Sequence, residues 1–582
     1  MTTWLILLTI GLPWVGALTV WWIGDERPRL QHALAVGFSA AAAAACLLLI
    51  PRAGDAAVVR LSLGSIFGEL TFVPDGLGVY LSAVATVVGS LAVVFSVDYM
   101  HGEAQLGRYY AFVLLFIGAM AGLVLSGSLL VMFLFWEITA LCSYALISFH
   151  NDDPAAVAGG IKALIVTGLG GIGLLGGALL AYAYFGTYDL RTFLTQAPTL
   201  PPALLALAAF GFLAAAAAKS AQVPFHTWLP DAMEAPTPVT ALIHAATMVN
   251  AGVYLLARFY PAFSAVPGWS TSVIVVGLLS ALLAGVMALT SQDLKRALAY
   301  STISQLGYMV YAVGAGGILA SQFHLLSHSL FKALLFLAAG AVIHAVGTRD
   351  LHQMGGLGKP MPFVRAAFVI GFLGLAGVPL ANGFVSKELV LESGLSGGPG
   401  WAYVAMLLGA GLTALYGARL VGMVFAGERR TSTKVHDAPT AMRVSLAALS
   451  IGTLTSWLLV GPFGRLLAGT LPLHSLHAEG TLAVLVEIVK APGTWLALGI
   501  VALGLVMWWQ RGALAGLGRA LAPIGDWSRR GLGFEWMNRQ VIVATQDAAA
   551  GLRRLQTGQL AWNVAGIVLG LMAVLAALAL WG

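Results

Sequence analysis

The sequence is short of charge. Asp, Glu, Lys and Arg make up only 9% of its 582 residues, where soluble domains carry about 25%, so an ordinary water-solvated globule is excluded. Cysteine is nearly absent. Cys46 and Cys142 sit in separate apolar stretches without CxxC spacing, which argues against a disulfide framework and an iron–sulfur site. No GxGxxG follows a strand pattern and no P-loop occurs, so redox chemistry and ATP hydrolysis are expected in other chains. Basic runs interleaved with aromatics are missing as well, and the net charge of +6 does not signal nucleic acid.

What the chain has instead is apolar length. Hydrophobic residues make up 59% of it, in recurring stretches long enough to cross a hydrocarbon core of about 30 Å. Spans are predicted near 3–23, 30–50, 77–99, 109–127, 128–149, 159–184, 201–221, 237–260, 270–289, 296–315, 318–345, 362–386, 401–426, 440–461, 493–510 and 560–581. This is an all-α polytopic membrane protein with about sixteen transmembrane helices. The shorter alternating segments of a transmembrane barrel are absent. Residues 56–73 are too mixed for a span and read as a surface hairpin. No cleavable signal pattern is evident, so the first helix is expected to stay.

Basic residues fix the orientation. The loops after odd-numbered spans hold Arg27 and Arg29, Lys295 and Arg296, Arg349 and Lys359, then Arg429, Arg430 and Lys434, and 511–555 adds more. Loops after even-numbered spans hold only scattered ones such as Arg52, Arg60, Arg191 and Arg465. By the positive-inside rule the odd loops face the cytoplasm and both termini lie outside, in the inner membrane.

Ionisable residues inside spans carry the functional signal, because each costs about 3 kcal/mol or more in the bilayer. Glu137, in VMFLFWEITALCSY, has no cation within a helical turn. Lys219 closes an alanine-rich span, and Pro224 five residues later breaks the helix just past it. The next span holds His244, for which a hydrogen bond to a neighbouring carbonyl is the bland alternative. His324, His328 and Lys332 stand at i, i+4 and i+8, on one face of one helix. Lys387 follows a second interruption at Pro379, Asn382 and Gly383, with snorkelling beside Ser386 and Glu388 as its alternative. Lys162 lies nearer a span end, where snorkelling is an equal account, and ranks second. His226, Asp231 and Glu234 are expected to shape the first break. Two lysines at two broken helices in separate halves suggest an inverted duplication. The histidine pair lacks a third ligand at short spacing, so no metal or other cofactor is expected.

FWEITALCSYALISF, AQVPFHTWLPDAMEAPTPVTALIHAATMVNAGVYL, DLKRALAYSTISQLGYM, HSLFKALLFLAAG and GFVSKE resemble the antiporter-like membrane subunits shared by complex I (its subunit L) and the Mrp cation/proton antiporters (their large MrpA subunit). The likeness runs over about 70–430, with a weaker echo at LQTGQLAWNVAG, 556–567. It implies fourteen core helices with two inverted five-helix repeats, plus extra C-terminal helices. The chain then divides into N-terminal helices and hairpin (1–108), two half-repeats (109–260 and 270–426), and C-terminal helices with a short cytoplasmic amphipathic segment (427–582). It also implies a proton path. Glu137 matches the family's fifth-helix glutamate, Lys219 its partner in the broken seventh helix, and His244 the eighth-helix histidine. His324, His328 and Lys332 match the connecting relay, and Lys387 the terminal lysine in the broken twelfth helix.

Two departures bear on which machine the chain serves. Gly168 and Gly171 stand where subunit L carries an Arg and an Asp, more as in MrpA. Subunit L ends in a very long lateral helix, whereas 511–558 here would reach only about 70 Å if wholly helical, and AGLGRALAPIGDW works against that. The expected function is a proton-translocating subunit of a multisubunit complex, of the Mrp Na⁺/proton antiporter type. The alternatives are a complex I-like or hydrogenase-like respiratory complex and an inorganic-carbon accumulation complex. Expected partners are other membrane subunits, protons, Na⁺ and lipid.

Overall fold

The computed structural model describes residues 1–55, 59–62, 64, 67–431 and 435–555, with 569, 570 and 572. The span expected at 560–581 and the echo at 556–567 lie outside the described residues, as does Lys434. The chain is an all-α polytopic membrane protein. In order the elements are α1 (Thr2–Ile23), α2 (Pro28–Leu49), β1 (Val59–Ser62), β2 (Glu69–Phe72), α3 (Gly76–Tyr99), α4 (Leu106–Leu125), α5 (Leu129–Ile147), α6 (Pro154–Phe185), α7 (Leu190–Gln196) and α8 (Pro202–Lys219). After the break come α9 (Trp228–Asp231), α10 (Thr237–Ala241), α11 (Met248–Phe263), α12 (Trp269–Thr290), α13 (Leu294–Gly314), α14 (Ile318–Val346), α15 (Pro362–Ala376), α16 (Asn382–Gly397) and α17 (Gly400–Phe425). Then follow α18 (Thr440–Thr455), α19 (Val460–Thr470), α20 (Thr481–Lys490), α21 (Pro492–Trp509), α22 (Ala515–Ala520), α23 (Ala522–Arg529) and α24 (Phe534–Leu555).

Among the described residues, 13 helical segments are long and apolar enough to cross a membrane, against about sixteen expected. The difference is physical. One expected span lies outside the described residues, and another is the broken pair α15–α16. The third is α13, whose Lys295, Arg296, Ser301, Thr302, Ser304 and Gln305 lower its hydropathy. Apart from Arg296 and Tyr300, α13 is buried along its whole length, so protein rather than lipid surrounds its polar side chains. It packs on α12 and α14, and α14 in turn packs on α3, α15, α16 and α18.

The odd and even loops separate as expected. On one face the predicted hairpin forms, with β1 antiparallel to β2, and it knits the even loops together. Gly127 N donates to Thr71 O (2.8 Å), Leu190 N to Gly127 O (2.9 Å), and Gly76 N to Thr470 Oγ1 (2.8 Å). On the opposite face Gly107 N donates to Asp25 (2.7 Å), Leu294 N to Arg349 O (2.9 Å), Gly356 N to Ala426 O (3.0 Å), and Ala441 N to Asp98 (2.8 Å). Even loops meet even loops, and odd meet odd.

Two compact units divide the chain, Met1–Gly525 and Asp526–Gly582. Within the second, α24 has 22 residues, about 33 Å of helix, and exposes Trp536, Val541 and Ile542. The long strap of a subunit L does not form among the described residues, since 511–555 is divided into α22, α23 and α24.

A buried ion pair anchors the even-loop face. Arg258 on α11, 3% exposed, grips both oxygens of Asp75, with Nη2 to Oδ1 at 2.9 Å, and also donates to Tyr254. Asp75 caps α3 through Gly78 N (2.9 Å). Asp75→Asn keeps a capping oxygen but strands a buried guanidinium, at a cost of about 3–5 kcal/mol. Thermal unfolding of the detergent-solubilised protein is predicted to move down markedly. Asp75→Asn combined with Arg258→Leu should recover most of that loss.

Candidate functional site

Glu137 lies on α5, with Trp136 fully buried and Leu134 exposed to either side. Its side chain is half-buried. The carboxylate turns toward α6, where Gly168 and Gly171 leave room, and a Cβ at position 171 would collide with Oε1. Oε1 is buried without a hydrogen-bond partner. Lys219, at the C-terminus of α8 and fully buried, reaches the same place from the other side. Its Nζ donates to the carbonyl of Trp136 at 2.7 Å and stands 4.9 Å from the Trp136 ring centre. The two charges are thus adjacent in the fold, but no direct ion pair joins them. The lysine is solvated by the residue before the glutamate. The solvating carbonyl comes from the unbroken α5, and not from the break that follows Lys219.

Past that break, residues 242–246 form one π-helical turn between α10 and α11. Carbonyls displaced by the wide turn are taken by side chains, Thr247 Oγ1 to Leu242 O (2.9 Å) and Asn250 Nδ2 to Ala245 O (2.8 Å). His244 sits inside the turn, fully buried, 4.7 Å from the ring of Phe336 on α14. Neither ring nitrogen has a partner, so the carbonyl bond that would make it a merely structural histidine is not formed.

On α14 the three predicted residues line one buried face. Lys332 donates to Ser301 Oγ of α13 and lies 5.7 Å from the Phe336 ring centre. His324 bonds Ser386 Oγ through Nδ1 (2.9 Å) and Gln305 Oε1 through Nε2 (3.3 Å). Between them His328 has both ring nitrogens unpartnered and meets Phe331 edge-on at 5.4 Å.

Lys387 is held at the second break. α15 stops at Ala376 and α16 starts at Asn382, and Gly383 lies so close to the Gly374 carbonyl that any Cβ would collide with it. This approach lets Lys387 Nζ reach Leu375 O at 2.8 Å, one of the last carbonyls of α15. Tyr308 stands 5.4 Å away. With 3% of its surface exposed, Lys387 does not snorkel. Freed carbonyls do serve a lysine here.

The odd-loop face holds a charge network. Asp231 pairs with Lys162 (2.7 Å) and Arg296 (3.3 Å), while Arg349 pairs with Glu234 (2.9 Å) and Asp293 (3.2 Å). Lys162 therefore stands apart from the buried set. His226 is buried, which together with the Lys162 charge pushes it down to about 4, so it is neutral at physiological pH. Sequence reasoning misses one residue. Lys295 reads as a loop charge, but it is 4% exposed and donates to Ala235 O at 2.6 Å. Its signal is present in DLKRALAY, a lysine one residue inside a helix that holds a polar stripe.

Residues 126–413 match the family model described as NADH:quinone oxidoreductase/Mrp antiporter, and 61–110 match that of complex I chain 5, N-terminus. NADH-quinone oxidoreductase subunit L of Pseudomonas aeruginosa is 37% identical over 561 residues, 93% of this chain and 90% of the relative. The chain belongs to this family. The A1 chain of an Na(+)/H(+) antiporter from Staphylococcus saprophyticus is also 37% identical, over 70% of this chain, which spans about half (54%) of that relative. Among solved structures, a chain of the Mrp complex from Dietzia superposes over 100% of this chain and 63% of its own length, with a TM-score of 0.82 at 28% identity. A chain of an archaeal membrane-bound sulfane sulfur reductase has the same fold, with a TM-score of 0.81 at 22% identity, over 98% and 99% of the two chains.

Within this family the α5–α6 contact is open to a direct test. Gly171→Ala is predicted to force the Glu137 carboxylate off α6 and lower the transport rate several-fold. Thermal unfolding should shift little, and a wild-type rate would show that the carboxylate does not need the glycine surface.

Proposed function

We propose that the chain is the proton-translocating subunit of a multisubunit membrane complex, of the Mrp cation/proton antiporter type, with Glu137 as the control charge and Lys219, His244, His328, Lys332, His324 and Lys387 as the path. One observation carries this reading. Lys219, Lys295, Lys332 and Lys387 are all buried, and each is held by a carbonyl or hydroxyl oxygen rather than by a carboxylate within ion-pair distance. A lysine kept for structure would be locked in a salt bridge. One resting on neutral dipoles exchanges its proton when a nearby charge changes.

Glu137 supplies that change. When the carboxylate is ionised and close to Lys219 the ammonium is favoured, and when it is protonated or swung onto α6 the lysine releases its proton toward α14. The two titrate as a coupled pair. The lysines at α8 and at α15–α16 occupy corresponding places in the two half-repeats, 109–260 and 270–426. The odd-loop face is the cytoplasmic one, in the inner membrane. Glu137 is only partly buried, Leu134, Leu141 and Leu169 are exposed, and a carboxylate at such a face is costly against lipid, so a neighbouring membrane protein of the complex covers the α5–α6 face. The length match to subunit L favours a second reading, a complex I-like respiratory complex.

Inverted membrane vesicles holding the assembled complex separate these readings. An antiporter dissipates an imposed proton gradient on addition of Na⁺, read by acridine-dye fluorescence, whereas a respiratory pump builds one on addition of NADH. In either assay Glu137→Gln is predicted to lower proton movement by about tenfold or more, about 1.4 kcal/mol in barrier, with the complex still assembled. An unaltered rate would refute the assigned role.

A further inference from the structure

One group of buried polar residues is left unused by that path. The face of α13 toward α14 and α17 carries Ser301 and Gln305, one helical turn apart and fully buried. Ser301 Oγ accepts from Lys332, and Gln305 Oε1 meets His324. From α17, fully buried Tyr416 brings its hydroxyl near Thr413, Gln305, Ser304 and Ser301 without a formed hydrogen bond to any of them. Ser304 and Thr413 are spent on backbone carbonyls, at 2.9 Å each. The Tyr416 hydroxyl and the Gln305 amide nitrogen are both buried without a hydrogen-bond partner. Two unsatisfied polar groups on neighbouring buried side chains call for a shared partner, which a bridging water supplies. By contrast His328, nominally between Lys332 and His324, meets neither and turns an edge to Phe331.

We propose that Tyr416, with Ser301 and Gln305, forms a hydroxyl-and-water branch that carries protons between Lys332 and His324, in parallel with His328. The proposal rests on the proton-path reading above. Each hop forms one O–H or N–H bond as another breaks. Ser301 Oγ takes a proton from the Lys332 ammonium while its own hydroxyl proton turns from the Leu298 carbonyl, at 2.8 Å, toward Tyr416. The phenol oxygen binds the Ser301 proton as its own passes through the water anchored on Gln305 to Nε2 of His324, in the tautomer that carries its proton on Nδ1 and donates it to Ser386 Oγ. The proton on the other ring nitrogen leaves through Ser386 to the Lys387 amine. The Gln305 Oε1 contact, at 3.3 Å the longest of the set, holds the proton on Nε2; it yields to the water when His324 takes the Nδ1–H tautomer. No electron moves and no co-reactant is needed.

Tyr416→Phe removes one hydroxyl that has no partner, so the fold should tolerate it. In vesicles holding the assembled complex, with the acridine-dye readout, this variant is predicted to lower proton movement by about tenfold and to raise the H₂O/D₂O rate ratio. His328→Gln should do less, and Ser301→Thr, which keeps a hydroxyl, should retain the rate that Ser301→Ala loses. A wild-type rate and isotope ratio for Tyr416→Phe, beside a Glu137→Gln variant that is blocked, would overturn the branch alone. If Glu137→Gln also transports normally, the path itself fails. A loss in Tyr416→Phe that comes with a lower unfolding temperature and an unchanged isotope ratio would show packing, and would also overturn the proposal.

Discussion

An ammonium group inside a bilayer protein has to be solvated by the protein itself. This chain does so without spending a carboxylate on each lysine. Lys219, Lys295, Lys332 and Lys387 rest on Trp136 O, Ala235 O, Ser301 Oγ and Leu375 O. Three of the four acceptors exist because the backbone or a polar helix was shaped to offer them, and the fourth, Trp136 O, belongs to the unbroken α5. The break between α15 and α16 frees Leu375 O, the irregular stretch before α10 exposes Ala235 O, and α13 brings a hydroxyl into the bundle. The second break, the irregular stretch before α10 and the polar helix are then parts of one requirement.

The same requirement explains where the carboxylates went. Asp231, Glu234 and Asp293 are gathered with Lys162, Arg296 and Arg349 at the odd-loop face, and Asp75 is locked to Arg258 near the other. Those pairs hold loops and helix ends, where rigidity is useful. Between the two faces Glu137 is left with one buried oxygen unpaired, close enough to Lys219 to bias it and not fixed to it.

Much of this is legible in the residues. Lengths of apolar sequence give the spans, Pro224 and Pro379 mark both breaks, and the i, i+4, i+8 spacing places three groups on one buried face. Other features are hidden for definite reasons. α13 has the hydropathy of a surface helix because its polar side chains face protein, and Lys295 sorts with the loops because charge counting does not see the chain that folds over it. The π turn at His244 leaves no periodicity signal. The acceptor of Lys219 is a backbone carbonyl on α5, which sequence cannot announce, so the carboxylate next to it looks like the direct partner.

Proton movement along the buried cations requires the interior of the assembled complex to be wet. The direct measurement is a high-resolution density map of that complex at mid-membrane. Ordered waters are expected to link Lys219, His244, Lys332, His324 and Lys387 with no gap longer than about 3.5 Å, with a neighbouring protein chain over Glu137. A dry apolar stretch separating Lys219 from α14, or lipid lying on the Glu137 carboxylate, would contradict this expectation.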